Sequence, residues 1–303
     1  MTGAGCGRNL WMAGLLWLAL PGLAVASAGG LATASFFVPG LGQFINGEPG
    51  KGATHLSTYL VSSRLGRHLA EDDDYIALDD RYDDDNQVIT TNRVSEWADL
   101  SSTIAQGTMF YSSYDAYRSR RLMNNNAGYT TSIPADEGFR ELAAAPFQAR
   151  YLLRPTTFIP MAIAASTLTA PVEEVWVTRT EDDFSRGEAA LMTFPRHGAV
   201  ALGEEAFFRG VLNNSFSHYW GPRWGLAASS VTFGLAHSGA GTSANAAVAT
   251  AYGAYLGWLH QRNNYRLGEN VAVHFWWNVF VSLSALRHDP DERTAMVRWE
   301  IPF

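Results

Sequence analysis

The chain has 303 residues, with 29 acidic against 22 basic side chains and a net charge of −7. This acidic balance argues against a nucleic-acid partner, because nothing in the composition would neutralise a run of phosphates. Hydrophobic residues make up 47% of the chain and charged residues only 17%, which favours several membrane segments beside at least one polar stretch. Cys6 is the only cysteine, which excludes an internal disulfide and a cysteine-based metal site.

Residues 1–28 have the pattern of a targeting segment. Arg8 precedes an apolar stretch over residues 10–20, and small residues follow at 24–28. The pattern fits both a cleaved signal peptide and an uncleaved signal anchor. Either form directs the chain to a membrane. The signal-like start and the hairpin that follows it are typical of bacterial membrane proteins, which predicts the inner (cytoplasmic) membrane.

Residues 29–70 predict a Pro/Gly-containing membrane hairpin followed by a helix. Pro39 and Gly40 interrupt an apolar stretch, which breaks any spanning helix and favours a hairpin that enters the bilayer. A glycine-lysine pair follows, but Ile45 and Gly52 stand where a phosphate-binding loop needs Gly and Ser or Thr. Nucleotide binding is therefore excluded, and a packing role is expected.

Residues 71–96 are rich in aspartate and predict a solvated, mobile loop. Their spacing lacks the central Gly and closing Glu of a hand-type calcium loop. Residues 97–150 predict a helix over 97–117, a linker and a short amphipathic helix over 136–150 that lies on the membrane surface. A basic cluster closes the first of these helices and favours a cytoplasmic end; it consists of Arg118, Arg120 and Arg121.

Residues 151–290 carry recurrent apolar segments, and 291–303 form a C-terminal tail. The segments lie near 156–172, 189–202, 223–236, 244–259 and 270–286. Several are shorter or more polar than a standard span of about 20 residues. Such segments are typical of a bundle whose inner face carries polar groups. The sequence therefore predicts an all-α, polytopic membrane helix bundle with a polar active site inside it.

Two acids and an arginine lie on the second of these segments. Glu205 and Arg209 are four residues apart, hence on one helical face, with the acid on the N-terminal side, which favours pairing. Glu204 points about 100° away, toward a different neighbour. In lipid such groups are costly and usually functional. An ion pair with a purely structural role in a bundle core is the alternative.

Two further segments carry histidines. His237 ends an apolar run, and alone it would be more typical of a hydrogen-bonded core residue than of a catalyst. His274 and Asn278 share a helical face at i,i+4 spacing. Aromatic packing explains the residues between them but not two polar groups stacked on one face.

The ordered set Glu-Glu-x-x-x-Arg, Phe-x-x-x-His and His-x-x-x-Asn resembles the CPBP family of intramembrane proteases. This family includes the CAAX prenyl endopeptidases and the bacteriocin-processing or self-immunity proteins. The resemblance covers roughly residues 155–286 and matches at every key position, while the first 150 residues lie outside it. It implies an intramembrane endopeptidase, acting on a peptide or membrane-protein substrate within the lipid bilayer.

Peptide hydrolysis needs an activated water and donors for the developing oxyanion. We expect Glu204 to be the general base and His237 to hold or polarise the water. His274 and Asn278 would donate to the oxyanion, and Glu205 with Arg209 would support the site; the resemblance implies the same roles. A metal-free mechanism is preferred because no His-Glu-x-x-His helix is present.

Two alternatives stay open. A zinc-dependent version of the peptidase would take Glu204, His237 and His274 as ligands and leave one position for water. A non-enzymatic membrane immunity or scaffold protein would keep the fold without hydrolysis. The intact polar set argues against the second, since each such group is expensive in a bilayer.

Overall fold

A computed structural model of the chain describes residues 27–83, 88–170, 177–238 and 243–287. The predicted targeting segment, except for its last two residues, and the predicted tail at 291–303 lie outside the described residues.

The described residues are almost entirely helical, which confirms the predicted all-α class. The α-helices are α1 (Ala28–Phe37), α2 (Leu41–Ile45), α3 (Pro49–Ala70), α4 (Leu78–Arg81), α5 (Arg93–Met123), α6 (Phe139–Ala144), α7 (Ala149–Leu152), α8 (Pro155–Ser166), α9 (Arg186–Glu204), α10 (Asn214–Trp220), α11 (Pro222–Ala236), α12 (Ser243–Arg262) and α13 (Gly268–Arg287). Short 3₁₀-helices span Ala145–Phe147 and Thr167–Thr169, and a π-helix spans Glu205–Asn213.

Within the described ranges, no helix is both long enough and apolar enough to cross a membrane. The membrane-embedded arrangement of the bundle stays a prediction.

The Pro/Gly segment forms a tight turn between α1 and α2. Gly40 adopts a φ of 94°, and a Cβ there would lie 2.2 Å from the carbonyl oxygen of Gly52, so no other residue fits. The Gln43 amide donates to the carbonyl oxygen of Ser112 at 2.9 Å and to the Asp115 carboxylate at 3.1 Å. These bonds fasten the turn to the middle of α5, which gives the segment the packing role that was expected.

Helix α5 is longer than the predicted 97–117 and takes the basic cluster into its last turns. Arg121 is fully buried; it donates to the Tyr117 hydroxyl at 2.9 Å and stacks over the Tyr129 ring at 3.7 Å. Arg118 is also buried. Aromatic rings and backbone carbonyls take the place of water around both side chains, while the cytoplasmic end that the cluster favours stays a prediction.

The acidic segment is more ordered than predicted. It contains α4, and the β-branched run Val88–Thr91 forms strand β2, which pairs with β1 (Tyr82–Asp83) and β3 (Val177–Thr180). The β1–β2 pairing is antiparallel, and β2–β3 is parallel with Val88 opposite Val177. Over these residues the chain therefore forms short regular elements where a loop was predicted, and the mobility of the segment stays a prediction. The predicted 136–150 helix is likewise divided, into α6, a 3₁₀ turn containing Pro146, and α7.

The C-terminal bundle follows the predicted apolar segments closely. Helix α9 begins with a capping box in which Ser185 and Glu188 bond reciprocally to each other's backbone amides. It packs between α5 and α13, while α11 packs on α12. Glycines allow the α5–α9 contact, since a Cβ on Gly203 would lie 2.7 Å from the Cα of Gly107. This contact fixes the C-terminal end of α9, where the candidate site begins.

Candidate active site

Three helix segments converge on the polar residues singled out in the sequence. Glu204 is the last residue of α9, His237 caps the end of α11, and His274 lies in the second turn of α13. Directly after Glu204 the chain winds into a nine-residue π-helix, every residue of which is buried. A π-helix of this length is rare and is frequently found at functional sites. The sequence pattern predicted an ordinary α-helix here.

Glu205 and Arg209 form a fully buried ion pair inside this π-helix. Arg209 Nη1 lies 2.9 Å from Glu205 Oε1, and its Nη2 donates to the carbonyl oxygen of Gly253 at 3.3 Å. The guanidinium also lies 4.3 Å from the centre of the Phe233 ring. The pair joins α12 and α11 to the π-helix, so the predicted i,i+4 contact is present and is fully satisfied.

The second function of Glu205 is to hold His274. His274 Nδ1 lies 2.7 Å from Glu205 Oε1, and Asn270 donates to Glu205 Oε2 at 3.3 Å. An ionised carboxylate only accepts hydrogen bonds, so Nδ1 of His274 carries the proton. In the neutral ring, Nε2 therefore presents its lone pair on the opposite side. Asn270 was not singled out in the sequence, because an asparagine one turn before a histidine is common without any functional role.

His237 is fixed in the same way by a different acceptor. Its Nδ1 lies 2.8 Å from the backbone carbonyl oxygen of Phe233, to which it donates. The Phe233 ring packs against the imidazole with centroids 4.4 Å apart. As in His274, the neutral tautomer leaves Nε2 free to accept.

Glu204 lies between these two acceptors. Its Oε2 is 3.9 Å from His237 Nε2 and 3.8 Å from His274 Nε2, both beyond hydrogen-bond range. This oxygen is buried, and it has no hydrogen-bond partner among the described residues. A water can lie at about 2.8 Å from Glu204 Oε2 and from the Nε2 atom of either histidine. The arrangement is thus a carboxylate and two imidazoles around one water-sized gap.

The gap is open on one side only. His274 and Glu205 are 4% and 0% exposed at their side chains, Glu204 is 15% exposed, and His237 is 32% exposed. Access therefore runs past His237, at the end of α11. A substrate carbonyl approaching from that side would meet Glu204 before any other carboxylate of the cluster.

Two more groups lie beside the gap. Asn278 is one turn beyond His274 on α13 and is partly exposed; no hydrogen bond ties it to another residue of the described ranges. Tyr252 packs edge-on against the His274 ring at 5.8 Å, and its hydroxyl is buried with no hydrogen-bond partner among the described residues. Tyr252 was not singled out in the sequence, because it is one of several aromatic residues on α12.

Residues 187–280 match the family model of the type II CAAX prenyl endopeptidase Rce1-like proteins. The match includes α9, the π-helix, α11 and the part of α13 that carries His274 and Asn278, so the resemblance seen in the sequence is confirmed. The family is one of proteases, which supports an enzyme and a membrane location. Neither the curated proteins nor the solved structures compared with the chain gave a match.

The side chains around the gap are spaced more widely than the ligands of a bound metal ion. Among the described residues, no group of three or more His, Cys, Asp or Glu side chains has the arrangement needed to hold a metal ion. Tetrahedral zinc with bonds of about 2.1 Å brings its ligand atoms to about 3.4 Å from each other. The separations of 3.8 and 3.9 Å at Glu204 Oε2 exceed this value. The side chains would have to close on an ion to bind it.

Proposed function

We propose that the chain is an intramembrane endopeptidase in which Glu204 activates the attacking water. The observation that supports this most directly is the buried, unpartnered Oε2 of Glu204, which faces Nε2 of both His237 and His274. A buried polar atom without a partner is unfavourable by about 1–3 kcal/mol. Such an atom is typical of a site that completes its hydrogen bonds with a reactant.

The proposed reaction begins with a water in the gap, held by Nε2 of His237. The water gives one proton to the Glu204 carboxylate while its oxygen forms a bond to the carbonyl carbon of the substrate. The carbonyl oxygen becomes an oxyanion. The C–N bond then breaks, and Glu204 returns the proton to the departing nitrogen. The products are a carboxylic acid and an amine, and the enzyme is restored.

Donors for the oxyanion are proposed on α13, from Asn278 and His274, and on α12, from the buried Tyr252 hydroxyl. Asn278 can offer its amide without any change of state. His274 can donate through Nε2 only as an imidazolium, because its Nδ1 proton is already directed at Glu205. We therefore propose that His274 is neutral in the resting enzyme and takes up a proton when substrate binds, so that it acts in its charged form between the carboxylates of Glu204 and Glu205. Loss of one such donor typically costs about 3–4 kcal/mol of transition-state stabilisation.

The reaction is proposed to proceed without a metal, because the separations at Glu204 are wider than a zinc site needs. The zinc-dependent alternative would use Glu204, His237 and His274, and it has one favourable feature. Both histidines direct their Nδ1 protons at oxygen acceptors, as zinc-bound histidines do. Metal analysis of the purified protein, paired with turnover before and after chelation, distinguishes the two. Stoichiometric zinc with chelator-sensitive turnover would reject the metal-free mechanism.

The substrate is proposed to be a peptide or a membrane protein of the bacterial inner membrane. The test compares membrane peptides in cells that express wild type, Glu204→Gln, or the control Glu188→Gln, which alters an exposed capping residue far from the gap. Cleavage products should be present with wild type and the control, while the uncleaved substrate accumulates with Glu204→Gln. Identical peptide patterns in all three would contradict the proposal and favour the immunity or scaffold alternative.

A further inference from the structure

A cavity of about 990 Å³ lies between the N-terminal helices and the C-terminal bundle. This volume is at the upper end of the range of about 300–1,000 Å³ that is typical of ligand pockets. Its walls come from α3 and α5 on one side and from α6, α9 and α13 on the other. Most of the lining is apolar, including Phe139, Phe147, Phe194 and Leu202. None of the residues of the candidate active site lines it.

Helix α9 separates this cavity from the catalytic gap. The cavity touches α9 at Phe194, Gly198 and Leu202, which share one face of the helix. At about 100° per residue, Glu204 projects about 200° from Leu202 and about 100° from Gly203, which also lines the cavity, so the Glu204 side chain points away from the cavity side of the helix. The cavity is therefore a second site, and occupying it does not fill the space beside Glu204.

A buried arginine is the outstanding polar feature of the cavity wall. Arg118 is 8% exposed, and its Nη2 donates to the backbone carbonyl oxygen of Ala135. Its Nε has no hydrogen-bond partner within the described part of the chain, and no carboxylate there lies within ion-pair distance of it. Burying a guanidinium without an anion is strongly unfavourable. The Nε–H edge of the guanidinium, which is free here, is one of the edges through which arginine binds a planar carboxylate.

The other charged groups of the wall balance one another. Asp115 lies 3.4 Å from Lys51 Nζ and 3.3 Å from His55 Nε2, and it accepts a further bond from Gln43. Lys51 Nζ also lies 2.8 Å from Glu48 Oε1, so carboxylates meet the charge of Lys51, whereas the charge of Arg118 is left without a carboxylate partner among the described residues. A single negative charge on a bound molecule would neutralise it.

We propose that this cavity binds a single-chain amphiphile with a carboxylate head group, of the kind represented by a long-chain fatty acid. The carboxylate pairs with Arg118, and the hydrocarbon chain lies along the aromatic and aliphatic wall formed by α6, α9 and α13. Burial of each methylene contributes about 0.8 kcal/mol. The site is independent of the peptidase reaction, because it lies on the other face of α9.

The test measures equilibrium binding of radiolabelled hexadecanoate to the full-length protein in phosphatidylcholine nanodiscs, with empty nanodiscs subtracted. Arg118→Met removes the cation and should weaken binding by at least about tenfold. Its matched control is Arg120→Met, which alters an arginine on the same helix that does not line the cavity. 1-Hexadecanol, which has the same chain without the charge, should bind at least about tenfold more weakly than hexadecanoate to wild type.

A second variant tests the position of the chain without touching a charge. A Cβ on Gly198 would meet nothing within 4 Å, so Gly198→Leu extends into the cavity without a clash. It should abolish hexadecanoate binding with no loss of thermal stability, whereas Gly187→Leu, at the start of the same helix and away from the cavity, should bind as wild type. Undiminished binding in Gly198→Leu, no saturable binding to wild type, or equal binding of acid and alcohol would each overturn the proposal.

Discussion

Two neighbouring glutamates should respond in opposite ways to the same isosteric change. Glu204→Gln and Glu205→Gln each remove one carboxylate charge at adjacent positions of one helix. Oε2 of Glu204 is buried without a hydrogen-bond partner among the described residues. Glu205, by contrast, accepts from Arg209 at 2.9 Å, from His274 at 2.7 Å and from Asn270 at 3.3 Å. The two substitutions therefore remove very different sets of interactions.

The expected magnitudes follow from these contacts. Glu205→Gln leaves Arg209 buried without a counter-charge, and breaking a buried pair in this way costs about 3–5 kcal/mol. For a domain of this size that is a fall in Tm of roughly 10 °C. Glu204→Gln removes no hydrogen bond from Oε2 and relieves a desolvated charge, so the free energy of unfolding should stay the same or rise by about 1–2 kcal/mol.

The assay is thermal unfolding of the purified proteins under one set of conditions, and it requires no knowledge of the substrate. Turnover should be lost in Glu204→Gln all the same, since a general base contributes about 10²–10⁴-fold in rate. A catalytic group whose removal leaves the fold intact or more stable is a common trade-off. If Glu204→Gln unfolds as easily as Glu205→Gln, the Oε2 atom has structural partners and the reasoning fails.

Four further predictions concern the surroundings of the gap and the loop before α6. Tyr252→Phe removes a buried, unpartnered hydroxyl, so we expect unchanged or higher Tm but a fall in kcat of about tenfold or more, measured on one substrate. Gly203→Ala places a Cβ 2.7 Å from the backbone of α5, so Tm should fall by the equivalent of about 1–3 kcal/mol and kcat should fall with it. Burial raises the pKa of Glu137, so its ionisation destabilises the fold as pH rises through that pKa. In a measurement of Tm against pH, the Tm of Glu137→Gln should therefore rise relative to that of wild type toward neutral pH. The Tm of Asp136→Asn should fall relative to that of wild type over the same rise in pH. The hydrogen bond from Arg266 lowers the pKa of Asp136, and the stabilising effect of the ionised carboxylate is present only above that pKa.

The helices of the C-terminal bundle could be predicted because their limits depend on local chemistry. The predicted segment 189–202 lies inside α9, whose start is set by the Ser185 capping box. The predicted segment 223–236 lies inside α11, which begins at Pro222, a residue suited to the first turn of a helix. Hydrophobic periodicity and capping both act over a few residues, so one sequence is enough to read them.

Contacts between residues that are distant along the chain could not be predicted from the sequence. Arg118 and Arg121 were read only as a basic cluster at the end of a helix, yet each is buried against groups from the following loop. The π-helix after Glu204 was also missed; its Arg209 contacts Phe233 on α11 and Gly253 on α12, which are distant along the chain. Asn270 belongs to the same class, since its importance lies in an acid 65 positions away.

The contrast between the two glutamates also bears on the choice between enzyme and scaffold. A structural network gains by satisfying every buried polar atom, and Glu205 with Arg209 does so. Glu204 stands next to that network and leaves one buried oxygen unpaired between two imidazoles whose free nitrogens face it. A scaffold would be more stable with an amide or an apolar residue there, because neither would desolvate a charge. The unpaired carboxylate is useful only if something transient, such as a water that is to lose its proton, completes the set.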